Sequence, residues 1–129
     1  MHVLHRFREV LARGGAMLDL QVIPPDPVVE VDGAHVCSIE GGALLDDAVA
    51  AAAVVDDLIA RGLLREEAVD DHEVLHRYPT GAALVEDFET KQRSVPLAAV
   101  PKLAATDRPC VVREACRLRR LGVPADASP

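Results

Sequence analysis

Two adjacent glycines, Gly14 and Gly15, separate a helical apolar pattern from a strand-like one, and this order constrains the possible folds more than any other feature of the sequence. A phosphate-binding glycine loop needs the reverse order, in which a strand leads through glycines to a helix N-terminus whose free N–H groups meet the anion. Here the glycines follow the helix, where glycine ends a helix by adopting the left-handed conformation. We therefore interpret the pair as a helix stop that leads into a strand, with phosphate binding as the less favoured alternative.

The residues on either side of the glycines predict one helix and one strand. An amphipathic helix is expected over residues 2 to 13, without a capping residue at its start, and its apolar positions are Val3, Leu4, Phe7, Val10 and Leu11. The run from Ala16 to Ile23 is apolar except for Asp19 and Gln21, which is typical of a buried strand in a parallel or mixed sheet. The prolines that follow end this strand.

Turn and cap signals divide the rest of the chain. Asp32 and Gly33 tolerate positive φ, so they predict a hairpin with strands over residues 28 to 31 and 34 to 39. Thr80 is a suitable N-cap for a helix running to about Gln92. The other predicted elements are a helix over 43 to 63 with an apolar stripe (Leu45, Ala48, Val49, Ala52, Val55, Ile59), an extended segment over 66 to 78, a short helical or irregular stretch near 97 to 106, and a closing strand over 110 to 121 with two alternating faces. We expect one domain over residues 1 to 121 and a frayed tail over 122 to 129.

Charge and composition disfavour several classes of function. The 21 acidic residues outnumber the 14 basic ones, and the net charge of −7 repels a phosphate backbone. One tyrosine and two phenylalanines, without tryptophan, are too few to form a stacking platform for bases. The apolar run from Ala48 to Val55 is far shorter than the ~20 residues of a membrane span, and the charged N-terminal residues do not resemble a secretory signal. We therefore expect a cytoplasmic protein that binds neither nucleic acid nor membrane.

The three cysteines, Cys37, Cys110 and Cys116, are an odd number without a C-x-x-C pair. On one strand, Cys110 and Cys116 would lie roughly 20 Å apart, beyond the reach of a disulfide. None has a base beside it in the sequence to activate a nucleophile. They are predicted to be small core residues in a reducing compartment.

Asp19, Gln21 and His76 are the candidate substrate-side residues. Polar groups inside an apolar strand need a partner or have a function, so Asp19 and Gln21 are either a satisfied buried pair, which is the simpler explanation, or face a ligand crevice at the strand's carboxyl end. His72 and His76 point to one face of the extended segment, but a metal site would need a third ligand that the sequence does not indicate. We assign no metal ligand and no catalytic residue. The aspartates at helical spacing are expected to be solvated: Asp46, Asp47, Asp56 and Asp57.

The segment REVLARGGAMLDL, from Arg8 to Leu20, resembles a stretch of class I S-adenosylmethionine-dependent methyltransferases. In that family a helix ends in a Leu-x-Pro-Gly-Gly type loop and enters the fifth strand of the sheet, and Arg13 stands where the family usually has proline. An insertion hairpin, a long helix, an extended segment, further helices and a last antiparallel strand follow in the family's order. The resemblance therefore covers about residues 2 to 121.

The resemblance implies an incomplete Rossmann-like α/β fold. It would be a three-layer sandwich of the fifth strand, a closing antiparallel hairpin whose final strand inserts beside the fifth, an inserted small hairpin and about four helices. The family's cofactor half, with its glycine-rich loop and ribose-binding acidic residue, would lie before Met1, so no residue is assigned to cofactor binding. S-adenosylmethionine is expected to bind only if another polypeptide completes the fold.

A fifth strand without its fourth neighbour would have one unpaired edge and an uncovered sheet face, and both features recruit other chains. We expect a homodimer or a partner polypeptide bound through the edge of residues Ala16 to Ile23 or through the first helix. Three functions stay open at this point. The chain is a methyltransferase-like substrate-side half-domain without activity of its own, a methyltransferase subunit completed by a partner chain, or a non-enzymatic dimerisation or interaction module.

Overall fold

A computed structural model describes residues 15 to 124 as an α/β architecture with one five-stranded sheet and three helices. The helix predicted over residues 2 to 13 and the last residues of the predicted tail lie outside this range. The strands are β1 (Ala16–Val22), β2 (Val28–Val31), β3 (Ala34–Ser38), β4 (Arg65–Tyr78) and β5 (Cys110–Gly122). The helices are α1 (Gly42–Ala60), α2 (Gly81–Phe88) and α3 (Val100–Ala104).

The other strands are arranged around β5. On one edge of β5, β4 pairs along the whole strand. On the other edge, β1 pairs with residues 116 to 122 and β2 pairs with residues 110 to 113. Strand β3 pairs with β2. Because β1 and β4 are both antiparallel to β5, they run parallel to each other with β5 between them. The predicted pairing of the first strand with the closing strand is confirmed. The expected parallel or mixed ladder is wrong for the described strands, which pair antiparallel throughout.

The alternation of side chains along β5 divides the core between the two faces of the sheet. On the face of the odd-numbered β5 residues, Leu121 packs with Val55 and Leu58 of α1 and with Leu64. On the face of the even-numbered residues, Cys110 and Val112 pack against α2, α3 and the segment between these two helices. The other buried residues of this cluster are Val29, Ile39, Leu84, Phe88, Val95 and Leu103. Helices therefore cover both faces, but at opposite ends of β5.

Two local signals in the sequence predicted the structure correctly. The β2–β3 turn places Asp32 at φ 52° and Gly33 at φ 80°, the positive values that this residue pair tolerates. The Thr80 side chain caps α2 by accepting a hydrogen bond from the Ala83 N–H at 3.1 Å. Helix α2 ends at Phe88, however, and does not reach Gln92.

Helix α1 buries a face that differs from the predicted stripe. Ala48 and Val55 are buried as expected, but Leu58 is buried and Val49 is 47% exposed. The reason is that α1 packs on the sheet through its second half, from Val54 to Ile59, where it meets Leu121. Its first half leaves an opening above the sheet.

Among the described residues, strand β1 is covered on one face only, whereas the sequence predicts a strand buried on both faces. Met17, on the odd face of the sheet, packs with the α1 cluster. Leu18 and Leu20, on the even face, are 67% and 60% exposed. In the described part of the chain, α1 covers the opposite face, and α2 and α3 lie at the other end of β5.

Among the described helices, none is long and apolar enough to cross a membrane.

Tyr78, the only tyrosine of the chain, joins the end of β4 to α2. Its hydroxyl donates a hydrogen bond to Asp87 Oδ2 at 2.6 Å, and its ring centroid lies 6.4 Å from that of Phe88. Burial raises the pKa of Tyr78 well above its ordinary value, and the Asp87 carboxylate raises it further.

We expect the phenolate absorbance of the folded protein to stay low as the pH passes the ordinary tyrosine value of 10.0. A raised folded pKa means that the neutral phenol contributes stability below that pH and that this contribution is lost as the pH rises further. Ionisation of Tyr78 should therefore coincide with alkaline unfolding measured by circular dichroism. In Asp87→Asn, which removes the neighbouring charge, the phenol should ionise at a lower pH than in the wild type. An ordinary titration near pH 10.0 in folded wild-type protein would contradict this prediction.

Candidate functional site

Arginines at alternate positions of β5 project from its odd face towards carboxylates on neighbouring strands. Arg113 donates from Nε to Glu30 at 2.8 Å and from Nη1 to Glu73 at 3.0 Å. Arg117 forms two parallel hydrogen bonds to the Asp71 carboxylate, at 2.7 and 2.9 Å. These hydrogen bonds lower the pKa of Asp71, because they favour its charged form. The arginines are thus already neutralised within the chain, and this face is a poor anion-binding surface.

Arg119, the next arginine on this face, lies between the sheet and α1. Its side chain is only 3% exposed, and its Nη1 lies 2.6 Å from Asp56 Oδ1 and 3.5 Å from Glu66 Oε2. A buried guanidinium needs such partners, since its desolvation would otherwise be costly. Asp56 is solvated as expected, with its side chain 63% exposed, and it also joins α1 to β5 through Arg119.

Two adjoining open grooves, of about 400 and 350 Å³, lie between α1 and the odd face of the sheet. They share Asp56 and Arg117, and we call them together the α1 cleft. One end is lined by the ion pairs of Arg117 and Arg119, and the other by apolar side chains at the carboxyl end of β1. This combination suits a small molecule with both polar and apolar parts. The residues at the apolar end are Val22, Ile23, Pro24, Ala48, Val49, Ala52 and Ala53.

Asp19 and Gln21 lie on the sheet face that carries the α1 cleft. Their cross-strand neighbours on β5 are Arg119 and Arg117, which line the cleft. The Gln21 Nε2 donates a hydrogen bond to Asp19 Oδ1 at 3.1 Å, and both residues are half-buried. The two predicted site residues are therefore together, and their mutual hydrogen bond is the satisfied pair that the simpler explanation expected.

His76, the third candidate, lies on the opposite face of the sheet and does not join them. Its cross-strand neighbour is Val112, and its Nε2 is 3.6 Å from Glu114 Oε2. The same oxygen accepts a hydrogen bond from Arg93 Nη1 at 2.6 Å, while the Cys116 thiol lies 3.8 Å from the other oxygen. Glu114 and Arg93 are largely buried, so this ion pair holds the segment after α2 against the central strand.

His72 shares the face of His76, as the sequence predicted, but it does not complete a metal site. Its Nδ1 lies 3.1 Å from Asp70 Oδ2, in a geometry that does not form a hydrogen bond. Within the described part of the chain, no group of three or more histidine, cysteine, aspartate or glutamate side chains is placed to hold a metal ion.

The cysteines provide no nucleophile. Cys110 and Cys116 are buried on β5, Cys37 is half-buried on β3, and all three are free thiols. Burial raises the pKa of each, and the nearby Glu114 carboxylate raises that of Cys116 further. The thiolate is the reactive form, so these thiols are poor nucleophiles at neutral pH.

Comparison of the chain with protein-family models, with curated proteins and with solved structures finds no match in any of the three.

Sequence reasoning missed the two ion pairs that organise both faces, Arg119–Asp56 and Arg93–Glu114. Their partners are 63 and 21 residues apart along the chain, and short-range spacing carries no signal for such pairs. An available clue was that Glu114 shares its face with two cysteines, because a charge on an apolar face needs a partner.

Glu114→Ala should lower the free energy of unfolding by about 3 kcal/mol, because it leaves the buried Arg93 guanidinium without its partner. Arg61→Ala is the matched control: it breaks an exposed pair with Asp57 on α1 and should change stability by less than about 0.5 kcal/mol. Urea unfolding followed by circular dichroism measures both variants. Equal stability losses would mean that the Arg93–Glu114 pair has no special structural role.

Proposed function

We propose that this chain forms the substrate-side half of a class I S-adenosylmethionine-dependent methyltransferase fold and has no methyltransferase activity by itself. The observation that carries the proposal is the order of strands: β5 lies antiparallel between β1 and β4, and α1 connects the β2–β3 hairpin to β4. This is the arrangement expected if β1 corresponds to the family's fifth strand and β5 to the final strand inserted beside it. The proposal includes the assignment of the fold to the Rossmann-like class.

The α1 cleft supports a substrate-side role. Its apolar end includes Val22, Ile23 and Pro24, where β1 ends. In open α/β sheets, ligands bind beyond the carboxyl ends of the parallel strands, and the proposal makes β1 one of those strands in the completed sheet. In this proposal the cleft receives the molecule to be methylated, while S-adenosylmethionine binds only when another polypeptide completes the sheet.

A non-enzymatic interaction module is the second candidate. It is favoured by the large exposure of Leu18 and Leu20 on β1, because apolar side chains on a strand edge are typical of contact surfaces. A methyltransferase subunit completed by a partner chain would use the same strand.

Titration calorimetry with S-adenosylmethionine tests the absence of independent cofactor binding. We expect no binding by the chain alone, whereas an intact class I methyltransferase, measured as a positive control, should bind. Binding by the chain alone would contradict the proposal.

Ligand-detected NMR with a library of small amphiphilic molecules tests the cleft. Hits should contact the α1 cleft, and Ala52→Phe should abolish their binding by filling its apolar end. Ala50→Phe, on the exposed side of the same helix, is the control and should leave binding unchanged. Hits that are insensitive to Ala52→Phe would remove the support that the cleft gives to a substrate-side role.

A further inference from the structure

The outer edge of β1 presents backbone groups that no strand of the described chain uses. The Ile23 N–H donates to the Ala115 carbonyl at 3.0 Å, next to the registered pair Val22 and Cys116. In an antiparallel ladder, hydrogen-bonded and non-hydrogen-bonded pairs alternate, so the odd-numbered residues of β1 bond to β5. The N–H and C=O groups of the even-numbered residues, Leu18, Leu20 and Val22, therefore point to the outer edge.

The side chains of these same residues form an apolar row. Leu18 and Leu20 are 67% and 60% exposed, and Val22 is half-buried on the same face. An edge that combines unpaired backbone groups with apolar side chains is a template for another strand.

We propose that a second copy of this chain pairs antiparallel with β1, with Leu20 opposite the partner's Leu20 on a two-fold axis. Leu18 then lies opposite the partner's Val22, and all three pairs of even-numbered residues exchange backbone hydrogen bonds. The contact is isologous, since the same patch serves both copies, and it joins the two sheets into one of ten strands.

The polar residues of β1 favour this register over the one centred on Asp19. With Leu20 on the axis, Asp19 lies beside the partner's Gln21 in a non-hydrogen-bonded pair, where Cα atoms are only about 4.5 Å apart and side chains are close. Gln21 has a second amide hydrogen and Asp19 a second oxygen beyond those of their mutual bond, so each can also bond across the axis. With Asp19 on the axis, two carboxylates would face each other, which is unfavourable.

The sequence after β1 limits the alternatives. A shift that places Gln21 on the axis would bring Pro24 opposite the partner's Leu18, and proline has no N–H to donate there. In the Leu20 register Pro24 lies opposite Ala16, the first residue of β1, so the three inner pairs keep their hydrogen bonds. A second copy in the Leu20 register is thus the occupant that satisfies the hydrogen bonds, the apolar row and the charges together. This inference depends on the β1 edge alone and not on the proposed methyltransferase relationship.

Analytical ultracentrifugation tests the proposal with charge variants of the full chain, without cofactor. The wild type should be a dimer at tens of micromolar. Gln21→Glu should weaken the dimer at least about tenfold, because two symmetry-related carboxylate pairs then face each other. Within its own chain the new glutamate lies opposite Arg117 but also loses the hydrogen bond to Asp19, so urea unfolding followed by circular dichroism must show an intact fold before the loss of dimer counts as an effect across the axis.

The double variant Asp19→Asn with Gln21→Glu restores an amide opposite a carboxylate in reversed order, and it should recover the dimer. Val69→Glu is the matched control, since Val69 is 51% exposed on β4, the other long edge strand, and should leave the dimer unchanged.

A wild type that is monomeric at these concentrations would overturn the proposal, and would leave residues 1 to 14 or a different protein as the occupant of this face. A dimer broken by Val69→Glu but not by Gln21→Glu would place the contact at β4. Failure of the double variant to recover the dimer would exclude the Leu20 register. None of these outcomes bears on S-adenosylmethionine binding, which calorimetry decides separately.

Discussion

The backbone pairing of β5 determines where β1, β2 and β4 lie, and β3 is placed by its pairing with β2. The hydrogen-bonding groups of β5 are used on both edges, by β4 along its whole length and by β1 and β2 in turn on the other side. A strand in this position must suit two environments, because helices cover its even face near Cys110 and its odd face near Leu121. The alternation of side chains along β5 meets both needs within one strand.

Charged side chains on such a strand are tolerated because neighbouring elements neutralise them. Arg119 is almost fully buried, and it is held by one carboxylate from α1 and one from β4. On the other face, Glu114 is held by Arg93. An unpaired buried charge is strongly destabilising. Helix α1 and the segment after α2 are therefore held against the central strand, where their side chains pair with Arg119 and Glu114.

The resulting molecule is unevenly covered, and this asymmetry underlies both functional ideas. Helix α1 packs on the sheet through its second half and leaves the α1 cleft above the end of β1. The even face of β1, with Leu18 and Leu20, is left open by the described helices. One surface offers a site for a small molecule, and the other offers an edge for a strand; the two meet at Val22, which lines the cleft and belongs to the edge row of β1.

Features that depend only on residues close together along the chain were predictable from the sequence. The Asp32–Gly33 turn, the Thr80 cap and the alternation of β5 all follow from local backbone preferences and side-chain spacing, which the amino-acid order states directly. The placement of Asp19 beside Gln21 was predictable for the same reason. The separation of His76 from that pair was not, because it depends on which residues of β5 lie opposite each strand.

The sequence by itself therefore determined the helices, strands and turns of the described chain, apart from a few boundaries, because short-range geometry and periodicity decide these features. Only the tertiary structure decided that all pairs of the described strands are antiparallel, that residues 15 to 124 leave one face of β1 open, and that Arg119 and Glu114 find their partners far along the chain. These features arise from contacts between distant segments, whose free energy depends on three-dimensional placement and leaves no periodic trace in the sequence.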